Sequence, residues 1–340
     1  MCIVLFEVVL RMCGFGRLEI YEPDARLYWR LKPNQTCFTK VGRKPVRIDS
    51  HGTRGTEFTA QKPANTLRIL SLGDSRTFGW GLSEAETYSV ELGRLLQANL
   101  DGELSSTAAG GEAGSPTAGV NAFTARAGRR VEVINAGVNA WSYQQMLVFY
   151  RDIAVAWQPD VVIVGEANLW TQFSEGNSPE FVKQFILRVR LKNLLRRSAI
   201  YHFVVEVKLR DFYERHRTKF IPVDPAQDTL FKEQQQADPE AAFREAITEL
   251  CRMVVTNGAT PVLLFLPRLE ELDVSKPAAG LQLKRGIAGQ LGTSFVNVAP
   301  DLVAKGKALY LEADPVHLNA QGNAIVAQRL FETMTNSLVQ

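Results

Sequence analysis

Leu67 to Gly81 reads LRILSLGDSRTFGWG, and where its apolar run ends stands a serine, Ser75, with small residues around it. A serine hydroxyl is inert unless a neighbouring base removes its proton. The chain holds four histidines, and one of them, His317, lies near the C-terminus in Asp314-Pro315-Val316-His317. A carboxylate three residues before an imidazole lets one tight turn present both side chains from the same loop. The chemistry to look for is therefore a serine activated by an imidazole that a carboxylate orients.

The elements around these residues are legible. The apolar run Leu67–Leu72 stops at Gly73-Asp74-Ser75 and reads as a buried parallel strand entering a turn before a helix. After it come a helix over 84–98, a strand at 131–134 ending in Asn135-Ala136-Gly137, and a helix over 143–156. A strand at 161–164 follows, ending in Gly165-Glu166-Ala167-Asn168. Helices over 239–256, 278–291 and 320–337 alternate with strands at 261–266 and 294–298. Such alternation predicts an α/β fold with a doubly wound, parallel, five-stranded sheet. In open sheets of this kind ligands bind outside the carboxyl ends of the strands, where Ser75, Gly137 and Asn168 all fall.

Residues 1–65 read as a β-rich N-terminal extension, with strand-like runs at 27–31 and 45–48 between glycines and prolines. Residues 66–340 form the main domain. It carries a Gly-, Ala-, Ser- and Thr-rich insertion at 101–129, expected to be a flexible surface segment. A helical insertion at about 174–238 has eleven Lys or Arg against three acidic residues between 183 and 219. That pattern fits a membrane surface or an anionic polymer, or simply a solvated basic face. The apolar start, MCIVLFEVVL, is too short to span a bilayer. It reads either as a buried first helix or as the tail of an anchor helix.

With 46% hydrophobic and 22% charged residues and a net charge of +3, the composition is that of a globular protein and argues against a nucleic-acid partner. Cys2, Cys13, Cys37 and Cys251 have no CxxC spacing and no clustered histidines, so a metal site is not expected.

The chain resembles the SGNH hydrolases, also called the GDSL family, from Thr66 to the C-terminus. Gly73-Asp74-Ser75 with Thr77, Phe78, Gly79 and Gly81 is similar to the first sequence block and Asn135-Ala136-Gly137 to the second. Asp314-x-x-His317 followed by Leu318-Asn319-x-x-Gly322 is similar to the last. The resemblance implies a flavodoxin-like sheet and an ester hydrolase that uses neither metal nor cofactor. Ser75 would form an acyl-enzyme, His317 would carry the proton to the leaving alkoxide, and Asp314 would hold the imidazole tautomer. It also implies an oxyanion hole from the N–H groups of Ser75 and Gly137 and the side-chain amide of Asn168.

The third block departs from the family pattern Gly-x-Asn-Asp, because Glu166 and Leu169 flank Ala167-Asn168. A carboxylate at 166 pointing inward would oppose a developing oxyanion. Asp74 is read as bonding turn backbone rather than as catalytic. Trp80, Trp141 and Trp170 follow three of the blocks, as pocket rims or as core. Arg268, after the strand at 261–266, reads as a surface arginine, with contact to a substrate carboxylate as the alternative.

The N-terminal segments Glu7–Arg11, Tyr28–Leu31 and Asp49–Gly55 look like the extension of bacterial SGNH proteins that are often membrane-anchored or exported. That likeness implies a cell-envelope or periplasmic location and an O-acylated carbohydrate or envelope polymer as substrate, with a cytoplasmic location as the alternative. Transfer of the acyl group to a sugar hydroxyl, or glycan binding without turnover, are the other functions that the pattern allows.

Overall fold

The computed structural model describes residues 2–18, 20–39, 43–108, 130–167, 177–209, 212, 240–273, 275 and 278–336. Strands β1 (Tyr21–Asp24) and β2 (Tyr28–Leu31) form one antiparallel hairpin, and β3 (Gln35–Phe38) and β4 (Pro45–Ile48) form another. Strands β5 (Thr66–Gly73), β6 (Arg130–Gly137), β7 (Val161–Val164), β8 (Thr260–Phe265) and β9 (Ser294–Asn297) make a parallel sheet in the order β6-β5-β7-β8-β9. This is the predicted α/β architecture. Strand β5 lies between the next two strands of the sheet in sequence, so the crevice at its carboxyl end is where the winding reverses.

All eight residues of β5 are buried, as a strand covered on both faces requires. Alternate residues feed two cores. Leu70, Leu72, Ile134, Val162, Val164 and Leu263 pack with Met146, Phe149, Ile247, Leu250 and Ile287 from the helices on one face. Leu67, Ile69, Val161, Ile163, Val262 and Leu264 pack with Leu92, Leu96, Val326 and Leu330 on the other.

Several elements differ from expectation for identifiable reasons. Strand β6 runs on to Gly137 because β5 keeps pairing with it, Ser71 opposite Asn135 and Gly73 opposite Gly137. Strand β1 escapes a sequence reading because Pro23 sits within it, which an edge strand tolerates. The helix expected over 143–156 ends at Asp152, and a 3-10 turn over Ala154–Trp157 completes that stretch. The helix expected from 84 is a 3-10 turn, Glu84–Glu86, followed by a helix over Tyr88–Ala108. That helix enters the segment expected to be a flexible insertion, and 109–129 lie outside the described residues.

The basic stretch is a helix over Pro179–Arg196, with Ser178 accepting from the N–H of Phe181 as its cap. Ser198 restarts the chain over Ala199–Tyr201, and a π-helical turn covers His202–Lys208. Residues 213–239, the rest of the expected helical insertion, are outside the described set. The first helix, Cys2–Met12, is not the buried element that its apolar composition suggested. Leu10 is its buried residue, whereas Ile3, Val4 and Leu5 are largely exposed. Among the described residues no helix is long and apolar enough to cross a membrane.

Candidate active site

Ser75 opens a one-turn helix, Ser75–Phe78, set directly on the end of β5. Asp74 caps it, its Oδ1 accepting from the N–H of Arg76 at 2.9 Å. Gly79 closes it at φ 85°, a left-handed conformation that glycine adopts without a Cβ clash. At the first helical position the Ser75 N–H belongs to the donors that a helix start leaves without an intrahelical acceptor. The turn sits very low on the sheet. A Cβ on Gly73 would lie 1.9 Å from Thr77 Oγ1, and one on Gly137 would lie 2.2 Å from the backbone nitrogen of Phe78.

Ser75 Oγ is 2.7 Å from His317 Nε2, and His317 Nδ1 is 2.8 Å from Asp314 Oδ2. The sequence therefore brings together, across 242 residues, the three side chains that it singled out. Asp314 is fixed by its own loop, Oδ1 accepting from the N–H of Val316 at 2.9 Å and of His317 at 3.2 Å. Burial pushes the Asp314 pKa up, but the hydrogen bond and charge of His317 with those two N–H groups outweigh it and hold the carboxyl below its ordinary value. The carboxylate is thus ionised at neutral pH. Its contribution to stability is complete above the ordinary aspartate pKa and is lost as pH falls through the lowered value. Trp80 stacks on the imidazole, with ring centroids 5.8 Å apart and planes at 30°. Sequence reading had left Trp80 as rim or core. Its place two residues beyond the nucleophile turn was the available signal.

Gly137, expected as an oxyanion donor, has a partner within its own strand. Its N–H donates to Asn135 Oδ1 at 3.0 Å, so that donor is already committed. Asn135 Nδ2 donates in turn to Thr77 O at 2.9 Å. Gly137 is glycine because the nucleophile turn presses on it. Gly137→Ala is expected to lower stability by about 1–3 kcal/mol through overpacking, and to slow covalent labelling of Ser75. A urea melt and a labelling time course on the same preparation check both. Asn168, the third expected oxyanion donor, lies outside the described residues, as do Leu169 and Trp170.

Glu166, which seemed to threaten an oxyanion, is engaged elsewhere. Its Oε1 is 2.8 Å from Lys284 Nζ and accepts from the N–H of Leu266 at 3.2 Å. Its Oε2 accepts from the hydroxyl of Tyr143 at 3.3 Å. Lys284 has no exposed surface and also donates to Gly165 O at 2.9 Å and Leu264 O at 2.6 Å. Beside this pair, Arg76 and Asp74 form a second buried ion pair at 2.9 Å. Arg76 also reaches Leu266 O and Ala167 O. Burial alone would weaken the charge on Arg76, yet Asp74 and Glu166 hold its pKa above the ordinary value. These four charges tie the ends of β5, β7 and β8 together beneath the serine. Sequence reading missed Lys284, although its signal was present. It shares the apolar stripe of the helix Ala279–Leu291 with Leu283, Ile287 and Ala288, where a lysine needs a partner.

Arg54 is the other missed residue. It is buried and donates to Phe78 O at 2.6 Å, Gly79 O at 2.7 Å and Leu82 O at 2.6 Å, capping the chain as it leaves the nucleophile turn. Trp141 is core, fully buried with its indole N–H on Trp29 O at 2.9 Å. Arg268 is partly exposed and faces Glu270 at 3.8 Å. Among the described residues no group of three or more His, Cys, Asp or Glu is placed to hold a metal ion.

No protein-family model matches the sequence, and a search of curated proteins finds no match. Among solved structures, a psychrotrophic esterase, EstA from Pseudoalteromonas sp., is 12% identical with a TM-score of 0.42, covering 81% of this chain and 100% of its own. A variant of Axe2, an acetylxylan esterase from Geobacillus stearothermophilus, is 14% identical with a TM-score of 0.41, covering 78% and 93%. A putative lipolytic protein of the G-D-S-L family from Desulfitobacterium hafniense is 13% identical with a TM-score of 0.38, covering 78% and 99%. Likenesses at this level concern the fold and not the activity.

Proposed function

We propose that the protein is a serine esterase of the SGNH type, acting through an acyl-enzyme on Ser75. The observation that carries this reading is the continuous chain Ser75 Oγ, His317 and Asp314, at 2.7 and 2.8 Å. Those distances suit proton transfer from hydroxyl to imidazole as the ester carbonyl is attacked. The carbonyl carbon gains the serine oxygen, and His317 takes the serine proton. The tetrahedral intermediate then expels the alcohol, which receives that proton. Water repeats the sequence on the acyl-enzyme, returning the serine and releasing the acid.

The Ser75 N–H is the donor this geometry offers to the oxyanion, and the helix start adds favourable potential. Asn168 supplies a side-chain amide in the same reading. The neutralisation of Glu166 by Lys284 supports it, because a paired carboxylate does not oppose the oxyanion as a lone one would. The substrate class we infer is a short acyl group, such as acetyl, on a carbohydrate or envelope polymer, following the sequence resemblance, and the cell envelope is the location that goes with it.

Labelling with a fluorophosphonate probe, read by intact mass, tests the reading. One adduct on the wild type, absent from Ser75→Ala and His317→Ala, is the expected result. A folded wild type that takes no adduct would leave a glycan-binding role in its place. Product analysis with and without a polysaccharide acceptor separates hydrolysis from acyl transfer.

A further inference from the structure

Two surface features lie side by side and serve neither the sheet nor the Ser75 site. The first is apolar. Helix Pro179–Arg196 exposes Leu187, Leu191, Leu194 and Leu195, spaced as one helical stripe, and helix Cys2–Met12 exposes Val4, Val8 and Met12 in the same way. The two are held in one body. Glu7 accepts from Ser198 Oγ at 2.9 Å and from the N–H groups of Ala199 and Ile200 at 2.8 and 3.0 Å. Phe6 meets Phe203 edge-on with centroids 6.3 Å apart, and Arg11 donates to Arg197 O at 2.6 Å. Exposed aliphatic stripes on neighbouring segments mark an interaction surface.

The second feature is basic. Arg11, Arg17, Arg196 and Arg197, with Gln35 and Thr36, line a cleft of about 290 Å³. Of these arginines, Arg11 is paired with Glu7 at 2.7 Å. Over residues 2–20 and 179–209 the sequence has nine Lys or Arg against Glu7, Glu19, Glu180 and Glu206. The cleft adjoins both helices, since its lining includes Arg11 on one and Arg196 and Arg197 at the end of the other.

We propose that this face docks on a bilayer containing anionic phospholipid, with the arginine cleft receiving a lipid phosphate headgroup. A bilayer offers what both features need, an acyl boundary for the aliphatic stripe and phosphates for the guanidinium groups, which bind them as paired donors. A second copy of the chain would cover the leucines but would bring like charges together. A soluble anion would fill the cleft and leave the leucines in water.

Co-sedimentation of the full chain with phosphatidylglycerol–phosphatidylcholine vesicles, beside pure phosphatidylcholine vesicles, tests the proposal at low and high salt. The expected result is pelleting with the anionic vesicles that high salt reverses, and little with the neutral ones. Arg17→Gln and Arg197→Gln, both at exposed positions, should each weaken partitioning about fivefold. The pair Leu187→Asp and Leu191→Asp should weaken it about tenfold or more. Thermal unfolding followed by tryptophan fluorescence shows whether the variants remain folded; for these exposed positions the midpoint should not move.

Equal pelleting with neutral and anionic vesicles would overturn the proposal, as would none with either. Binding of inorganic phosphate without vesicle binding would make the cleft a soluble-anion site instead. A dimer in sedimentation velocity that the leucine variants disperse, again without vesicle binding, would make the face an interface between copies.

Discussion

Replacing Ser75 or His317 by alanine is expected to reduce turnover of a soluble aryl ester by roughly 10⁴-fold or more. The double variant should be no slower than either single one. Residues that act as one unit fail together, so their losses do not add. Asp314→Asn is expected to cost about 10⁴-fold while leaving the fold intact, because an amide no longer imposes the imidazole tautomer that accepts the serine proton. Steady-state kinetics on the four proteins decides this. Turnover by Ser75→Ala within tenfold of the wild type would remove the serine from the mechanism, and additive losses would mean that Ser75 and His317 work separately.

Lys284→Met should destabilise the protein by about 3–5 kcal/mol, the cost of leaving a buried charge without its partner. The lysine is fully buried against Glu166 and two carbonyls. Its removal strands the carboxylate under the nucleophile turn. Adding Glu166→Gln should recover part of the loss, since the stranded charge is then gone, and the coupling between the two changes measures the pair. Urea unfolding of the three variants gives each value. A Lys284→Met protein within about 1 kcal/mol of the wild type would mean that water or another cation serves Glu166.

The candidate catalytic side chains were legible because their pattern is local: a serine between glycines at a strand end, and an aspartate and histidine sharing one turn. The parallel sheet was legible because strands buried on both faces read as continuous apolar runs. What eluded the sequence was pairing across the fold. Nothing near Glu166 announces that Lys284 neutralises it, and nothing near Gly137 shows that its N–H is taken by the side chain two residues before it. Whether the first helix is buried stayed open for a similar reason. Composition reports that Ile3, Val4 and Leu5 are apolar, but burial depends on what lies opposite, and that face has no partner within the described residues.

Arg54 has a bearing on where the catalytic unit begins. Its guanidinium holds three carbonyls just beyond Ser75, yet it belongs to the segment before the first sheet strand, and its own N–H is spent on Asn135 O. A fragment cut at Thr66 would keep Ser75, Asp314 and His317 and would still lose the donor that anchors the turn carrying Ser75. The extension is therefore not a passenger that recombination could trade for another. Any exchange of this α/β unit between proteins would have to carry Arg54 with it, and any shuffled or minimised version should be drawn from upstream of Arg54.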